Sequence, residues 1–211
     1  MSKGIFITLE GGEGSGKTTM IGRLSNYLEE RNIAYLVTRE PGGIEIAEKI
    51  RSIILDPEHT AMDARTEALL YAAARRQHLV EKVIPALEEG LIVLCDRFVD
   101  SSLVYQGYAR GIGEEEIRSI NLFATEGITP NVTIYFDVDP EIGFARIAAN
   151  QEREVNRLDL ENRLFHDKVR AGYLKLVENE PERIKMIDAS LSPDEVFCSL
   201  IANLDCVLKD I

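Results

Sequence analysis

The sequence predicts an α/β fold with a parallel sheet covered by helices on both faces. Three observations carry this reading. Short continuous apolar runs alternate with longer stretches of helical spacing. The apolar runs lack the in-and-out alternation of a half-exposed strand, as strands buried on both faces do. The first run leads straight into a glycine-rich turn that opens a helix, so the chain begins strand–loop–helix.

Residues 5–9 (Ile5-Phe6-Ile7-Thr8-Leu9) form the first strand. Gly11-Gly12-Glu13-Gly14-Ser15-Gly16-Lys17-Thr18 then fits the phosphate-binding pattern G-x-x-x-x-G-K-[ST], and residues 19–28 have helical spacing. A second strand is expected over 34–38, a helix over about 45–55, and another over about 66–88 with Gly90 as its stop signal. Residues 91–95 read as a third, buried strand. Helical segments follow around 102–108 and 114–126, and residues 132–136 read as the fourth strand. Asp139-Pro140 opens a helix, the acid as cap and the proline in the first turn. Residues 150–159 are polar, without apolar periodicity, and read as a mobile loop or lid, with a plain solvated connection as the alternative; Arg153 and Arg157, four apart, favour the lid. A helix over about 161–178, a strand over 184–187 and a capping box at Ser192-Pro193-Asp194-Glu195 complete the pattern.

The 211 residues suit one domain with a full core, and an apolar share of 45% with 28% charged residues is that of an ordinary globular protein. No apolar run reaches membrane-spanning length, and Met1-Ser2-Lys3-Gly4 enters the first strand directly, so neither anchor nor leader is expected. Cys95, Cys198 and Cys206 are odd in number and lack metal-ligand spacing, which suits a reducing cytoplasm. His59, His78 and His166 are scattered and read as structural or surface residues. A net charge of −12 repels a polyanion, so no nucleic-acid partner is expected, and a small anionic substrate must be drawn by a local cluster of arginines.

The glycines of the loop let backbone N–H groups turn around an anion at a helix N-terminus. Lys17 reaches the outer phosphates of a nucleoside triphosphate and Thr18 can sit on Mg²⁺. Asp96 ends the third strand, where such proteins carry a metal-holding acid; the bland alternative is a helix cap. Thr38-Arg39-Glu40-Pro41-Gly42-Gly43 ends the second strand at the same edge of the sheet, the edge at which parallel sheets bind ligands. Arg39 can fork onto a phosphate, and Arg51, Arg75 and Arg76 lie on the helices that follow.

Glu10 with the glycine loop, the Arg39-Glu40-Pro41-Gly42-Gly43 block, Asp96-Arg97-Phe98-x-Asp100-Ser101-Ser102 and Tyr105-Gln106-Gly107 together resemble the bacterial thymidylate kinase family, in order and spacing, over essentially the whole chain. The resemblance implies a P-loop nucleoside monophosphate kinase fold, with a five-stranded parallel sheet and a mobile lid, and a cytoplasmic homodimer. It implies transfer of the γ-phosphate of ATP to dTMP, with Mg²⁺, giving dTDP for dTTP and DNA synthesis. ATP would be held by Gly11, Gly12, Glu13, Gly14, Ser15, Gly16, Lys17, Thr18 and Thr19, and the metal by Thr18 and Asp96. dTMP would meet Arg39, Arg97 and Arg51 around its phosphate, with Tyr71, Arg75, Ser102 and Gln106 around its base and Pro41 also in contact. Tyr105 would lie under the sugar, and Glu10 near the metal and the sugar or acceptor phosphate. Tyr71 stands where the family usually has a phenylalanine. Some members carry a catalytic arginine in the loop, but Glu13 holds that place here. The resemblance therefore puts the catalytic cation in the lid, at Arg153 or Arg157, beside Lys17.

Three other readings stand beside this one. One is another nucleotide or deoxynucleoside kinase, and a nucleoside kinase would need an acid as base for a hydroxyl, a role open to Glu10 or Asp100. A GTP-binding switch would carry an Asn-Lys-x-Asp signature, which the sequence lacks. A silent ATP-binding module would not need Lys17, Thr18, Asp96 and the lid arginines together.

Overall fold

A computed structural model describes residues 4–149 and 157–208. Among these, five parallel strands form one sheet in the order β2-β3-β1-β4-β5, with β1 Ile5–Glu10, β2 Tyr35–Arg39, β3 Ile92–Asp96, β4 Val132–Asp137 and β5 Ile184–Asp188. Each strand overlaps its predicted run, and all five end one residue later than predicted, on the polar residue that closes the strand. Leu9 of β1 and Arg39 of β2 both pair with Asp96 of β3. The register thus aligns three carboxyl ends and brings their polar residues to one edge.

Nine α-helical segments connect or flank the described strands. On one face, α1 (Lys17–Glu29) and α9 (Pro193–Leu208) bury Leu24, Leu28, Leu200 and Leu204 against Leu9, Leu94, Ile134 and Phe136. On the other, α8 (Arg163–Asn179) packs Phe165, Val169 and Tyr173 against Tyr105 and Tyr135. Leu79 and Val83 close that face over Phe6, Val93 and Phe98.

The single helix expected over 66–88 is instead α3 (Ala64–His78), a π-helical turn at Leu79–Val83 and α4 (Ile84–Glu88). Pro85 has no N–H to give the carbonyl of Glu81, and the helix widens over that turn. Likewise α5 (Val99–Ser102) runs on as a π-helical segment, Leu103–Ala109. The remaining helices are α2 (Glu45–Leu55), α6 (Glu114–Thr125) and α7 (Pro140–Ala149). Two expected caps are present: Asp139 accepts from Glu141 N at 2.9 Å, and Ser192 and Glu195 form the capping box. Asn162 caps α8 by accepting from Phe165 N at 3.0 Å.

Candidate active site

The loop after β1 wraps the N-terminus of α1. Gly14 has φ of 70°, and a Cβ there would stand 2.2 Å from the carbonyl oxygen of Gly143. A Cβ on Gly143 would in turn meet the Glu13 carbonyl at 2.3 Å. Two glycines therefore let α7 lie directly on the loop, a contact no side chain would permit. Lys17 is buried and gives its ammonium to Gly11 O and Gly12 O, each at 3.0 Å, and Ser15 Oγ at 3.2 Å. Burial, helped by the Arg97 charge, lowers its pKa to about 8.

One cavity of about 480 Å³ runs from this loop across the sheet edge. Its floor near Lys17 includes Thr18 and Asp96. Asp96 Oδ1 is buried with no hydrogen-bond partner among the described residues. A hard cation ligated by one carboxylate, one hydroxyl and substrate phosphates suits this pair, so the residues fit Mg²⁺.

The far wall carries the arginines. Arg97 follows β3 in the left-handed region, φ 69°, unusual for a bulky residue and a mark of a position fixed by its surroundings. That conformation turns its guanidinium onto the loop, 2.7 Å from Glu13 Oε1 and 3.1 Å from Ser101 Oγ. Arg39 Nη2 donates to both Glu48 oxygens at 2.9 and 3.1 Å, and Glu48 also accepts from Gly43 N at 2.8 Å. Arg51 donates to Pro41 O at 3.0 Å, and burial with the nearby Arg39 charge lowers its pKa.

The end of the cavity beyond Arg75 is a network. Arg75 is buried and its Nε donates to Glu40 at 2.7 Å; other donors reach Ser102 Oγ at 3.1 Å, Phe98 O at 3.0 Å and Asn121 Oδ1. Glu40 also meets His78 Nδ1 at 2.9 Å, and His78 Nε2 meets Thr38 Oγ1 at 2.7 Å. The structural reading of His78 thus stands. Tyr71 lines the cavity, and burial with the Glu67 carboxylate raises its pKa, so its hydroxyl stays protonated.

The cavity gathers Glu13 through Thr19 of the loop, together with Arg39, Pro41, Arg51, Tyr71, Arg75, Asp96, Arg97, Ser102, Tyr105 and Gln106. Gly11 and Gly12 lie behind it and act through Lys17. Two expectations are corrected. Glu10 does not face the cavity: it is fully buried, accepting from Phe98 N (2.7 Å), Ser101 N (3.2 Å), Ser101 Oγ (2.6 Å) and Tyr173 Oη (2.7 Å). Both its oxygens hold the 97–101 turn in place. Arg157 does not reach toward the loop either. Its Nε donates to Ile54 O at 2.8 Å and its Nη2 to Glu67, inside the wall behind Tyr71. A buried carboxylate with room for another donor outcompetes water for that guanidinium. Arg153 lies outside the described residues.

The structure adds residues that sequence reasoning missed. Arg146 on α7 reaches Gly14 O at 3.5 Å and lines the cavity beside the loop. Gly143, a glycine inside a helical pattern, was the available signal for that close approach. Leu55, Phe98, Ser101 and Leu158 also line the cavity. The acids a nucleoside kinase would need are committed: Asp100 is buried and forked onto Arg183 at 2.7 Å to each oxygen, and Glu10 is spent as above.

A phosphate-binding loop, a metal-ready acid and an arginine wall opening onto one cavity define a P-loop phosphotransferase with a second anionic substrate. The thymidylate kinase family model matches residues 9–199. A thymidylate kinase of Geobacillus thermodenitrificans is 62% identical over 201 residues, covering 95% of this chain and 89% of the relative. One of Clostridium novyi is 62% identical, covering 93% and 96%. A crystal structure of thymidylate kinase from Ehrlichia chaffeensis matches with a TM-score of 0.75 at 32% identity, covering 96% of this chain and 99% of that one. The chain belongs to the thymidylate kinase family.

Proposed function

We propose that this protein transfers the γ-phosphate of ATP to dTMP, giving dTDP, with each half of the shared cavity holding one nucleotide. The observation that carries this reading is that the loop lysine and the arginine wall face one space, so donor and acceptor phosphates meet without leaving the protein. Family membership supports the substrate pair.

The acceptor is a phosphate monoester whose oxygen is already anionic, so the reaction requires alignment and charge neutralisation rather than a strong base. The spent state of Glu10 and Asp100 agrees with that. The loop amides and Lys17 bind the outer phosphates of ATP, and Lys17 exchanges Gly11 O and Gly12 O for phosphate oxygens as the nucleotide enters. Arg97, Arg39 and Arg51 receive the phosphate of dTMP. Arg97 leaves Glu13 for it, or bridges the two, which ties the loop to the acceptor. Mg²⁺ held by Thr18 and Asp96 would supply charge neutralisation across the outer phosphates. Tyr71 stacks on the base, with Arg75, Ser102 and Gln106 at its edge.

The homodimer is proposed on the apolar surface of α3 and α6. These helices pack side by side and leave Leu69, Leu122 and Phe123 exposed at 57%, 64% and 88%. An apolar patch of this kind marks an interface. No helix among the described residues is long and apolar enough to cross a membrane. The function is tested by ADP release with dTMP, dUMP, dCMP, dAMP, dGMP and thymidine as acceptors. Turnover with dTMP and none with thymidine is expected; equal turnover with thymidine would refute the reading.

A further inference from the structure

Gln106 sits in the base end of the cavity, buried on the π-helical segment that follows α5. Its Nε2 donates to Glu67 Oε1 at 2.7 Å. Glu67, on the first turn of α3, is only 1% exposed. Arg110 donates to both its oxygens, from Nε at 3.4 Å and Nη2 at 3.2 Å, and Arg157 donates to Oε2. Burial alone would raise the Glu67 pKa, but Arg110, Gln106 and Arg157 together lower it on balance, so the carboxylate stays ionised. An ionised carboxylate only accepts hydrogen bonds.

The consequence for Gln106 is a fixed orientation. A carboxamide can present either its NH₂ or its oxygen to a neighbour by rotating half a turn. Facing an acceptor-only carboxylate, it must offer the NH₂. The carbonyl oxygen is then turned the other way, and no described residue donates to it. Arg75 is the complementary case. It has five N–H groups; Glu40, Ser102, Asn121 and Phe98 take four, leaving one on Nη2. The base end thus carries one spare donor on Arg75 and one spare acceptor on Gln106.

We propose that Glu67 is a specificity-determining positioning residue, which selects the acceptor base by locking the amide of Gln106 with its oxygen toward the base edge. The proposal rests on dTMP being the acceptor. A donor beside an acceptor matches a ring carbonyl next to a ring N–H, the edge of thymine and uracil. It opposes cytosine, which shows an amino group next to a bare ring nitrogen. Guanine shares the thymine pattern, so its exclusion falls to the size of the cavity rather than to this pair.

The test is kcat/KM for dTMP, dUMP and dCMP at saturating ATP, in the wild type, Glu67→Gln and Glu67→Asp. A glutamine at 67 can accept or donate, so it no longer fixes the flip of Gln106. In Glu67→Gln the dTMP-to-dCMP ratio is expected to fall by at least about tenfold, mainly through KM, the scale set by one mispaired buried polar group. The KM for ATP should hold, and dTMP and dUMP should fall together because they share an edge. Glu67→Asp keeps the charge and should keep most of the ratio. General damage to the fold would lower all three acceptors alike. An unchanged ratio in a folded Glu67→Gln protein overturns the proposal. If that variant does not fold, Gln106→Met, similar in volume but without the oxygen, takes its place, and an unchanged ratio there overturns it equally. A wild type that does not prefer dTMP to dCMP overturns both this proposal and the function beneath it. A wild type with the preference and a variant that retains it overturn only the role of Glu67.

Discussion

Arg157→Ala separates two roles for one arginine. If it were the catalytic cation of a lid, its loss would lower kcat roughly a thousandfold or more and leave stability alone. The structure instead places it inside the protein, donating to Ile54 O at 2.8 Å and to the Glu67 carboxylate. Truncation orphans a buried carbonyl, which costs about 1–3 kcal/mol, and removes one charge-assisted bond worth about 1.5–3 kcal/mol. The heavier penalty of a stranded buried charge does not apply, because Arg110 and Gln106 still hold Glu67. With partial relaxation the loss is about 2–4 kcal/mol, a fall in Tm of roughly 5–15 °C for a chain of this size. Leu158, the next residue, lines the cavity, so the KM for dTMP should rise severalfold. The KM for ATP should stay within about twofold, since Arg157 acts on the acceptor wall alone. Thermal unfolding followed by circular dichroism, with steady-state kinetics in both substrates, measures all of this. An unchanged Tm with a thousandfold lower kcat would refute the placement and restore Arg157 to the transferring phosphate.

Lys17→Ala should fold normally and lose at least about a hundredfold in turnover, because charge on the transferring phosphate is worth several kcal/mol at the transition state; near-normal turnover would contradict it. ATP binding should also weaken as pH rises above about 8. The empty site loses the Lys17 proton there, while bound phosphates favour the charged form, so binding takes up a proton in that range; titration calorimetry in buffers of different ionisation enthalpy reads this, and no proton uptake at pH 9 would refute it. Gly143→Val should raise the KM for ATP more than that for dTMP, because its Cβ would meet the Glu13 carbonyl at 2.3 Å; equal effects on both would show that α7 yields instead of the loop. Phe123→Asp should give a monomer by light scattering with stability otherwise kept, since the side chain is 88% exposed; a persisting dimer would move the interface elsewhere.

The sheet was legible because strands buried on both faces must be apolar throughout, as Ile92-Val93-Leu94-Cys95 is. The loop end of the site was legible because a loop that binds phosphate through its backbone leaves glycine, lysine and threonine at fixed spacing. Helix interiors were harder. Pro85 changes the bonding pattern without changing apolar periodicity, so periodicity alone runs through the π-helical turn at Leu79–Val83, which only the proline marks. Charged residues were hardest, because residue type does not say which way a side chain turns. Glu10 carries a motif position yet faces inward to four donors. Arg157 lies in a polar stretch yet is buried by a carboxylate 90 positions away, and no local pattern encodes that pair. Arg146 looks like any solvated helix residue until the Gly14–Gly143 contact brings α7 onto the loop.

The proposed transfer requires one cavity to hold donor and acceptor end to end. The most direct measurement is inhibition by a single molecule that joins adenosine to thymidine through a chain of phosphates. Competition with ATP at fixed dTMP and with dTMP at fixed ATP is expected, with affinity well above that of either nucleotide alone. Competition with only one of the two substrates would contradict it.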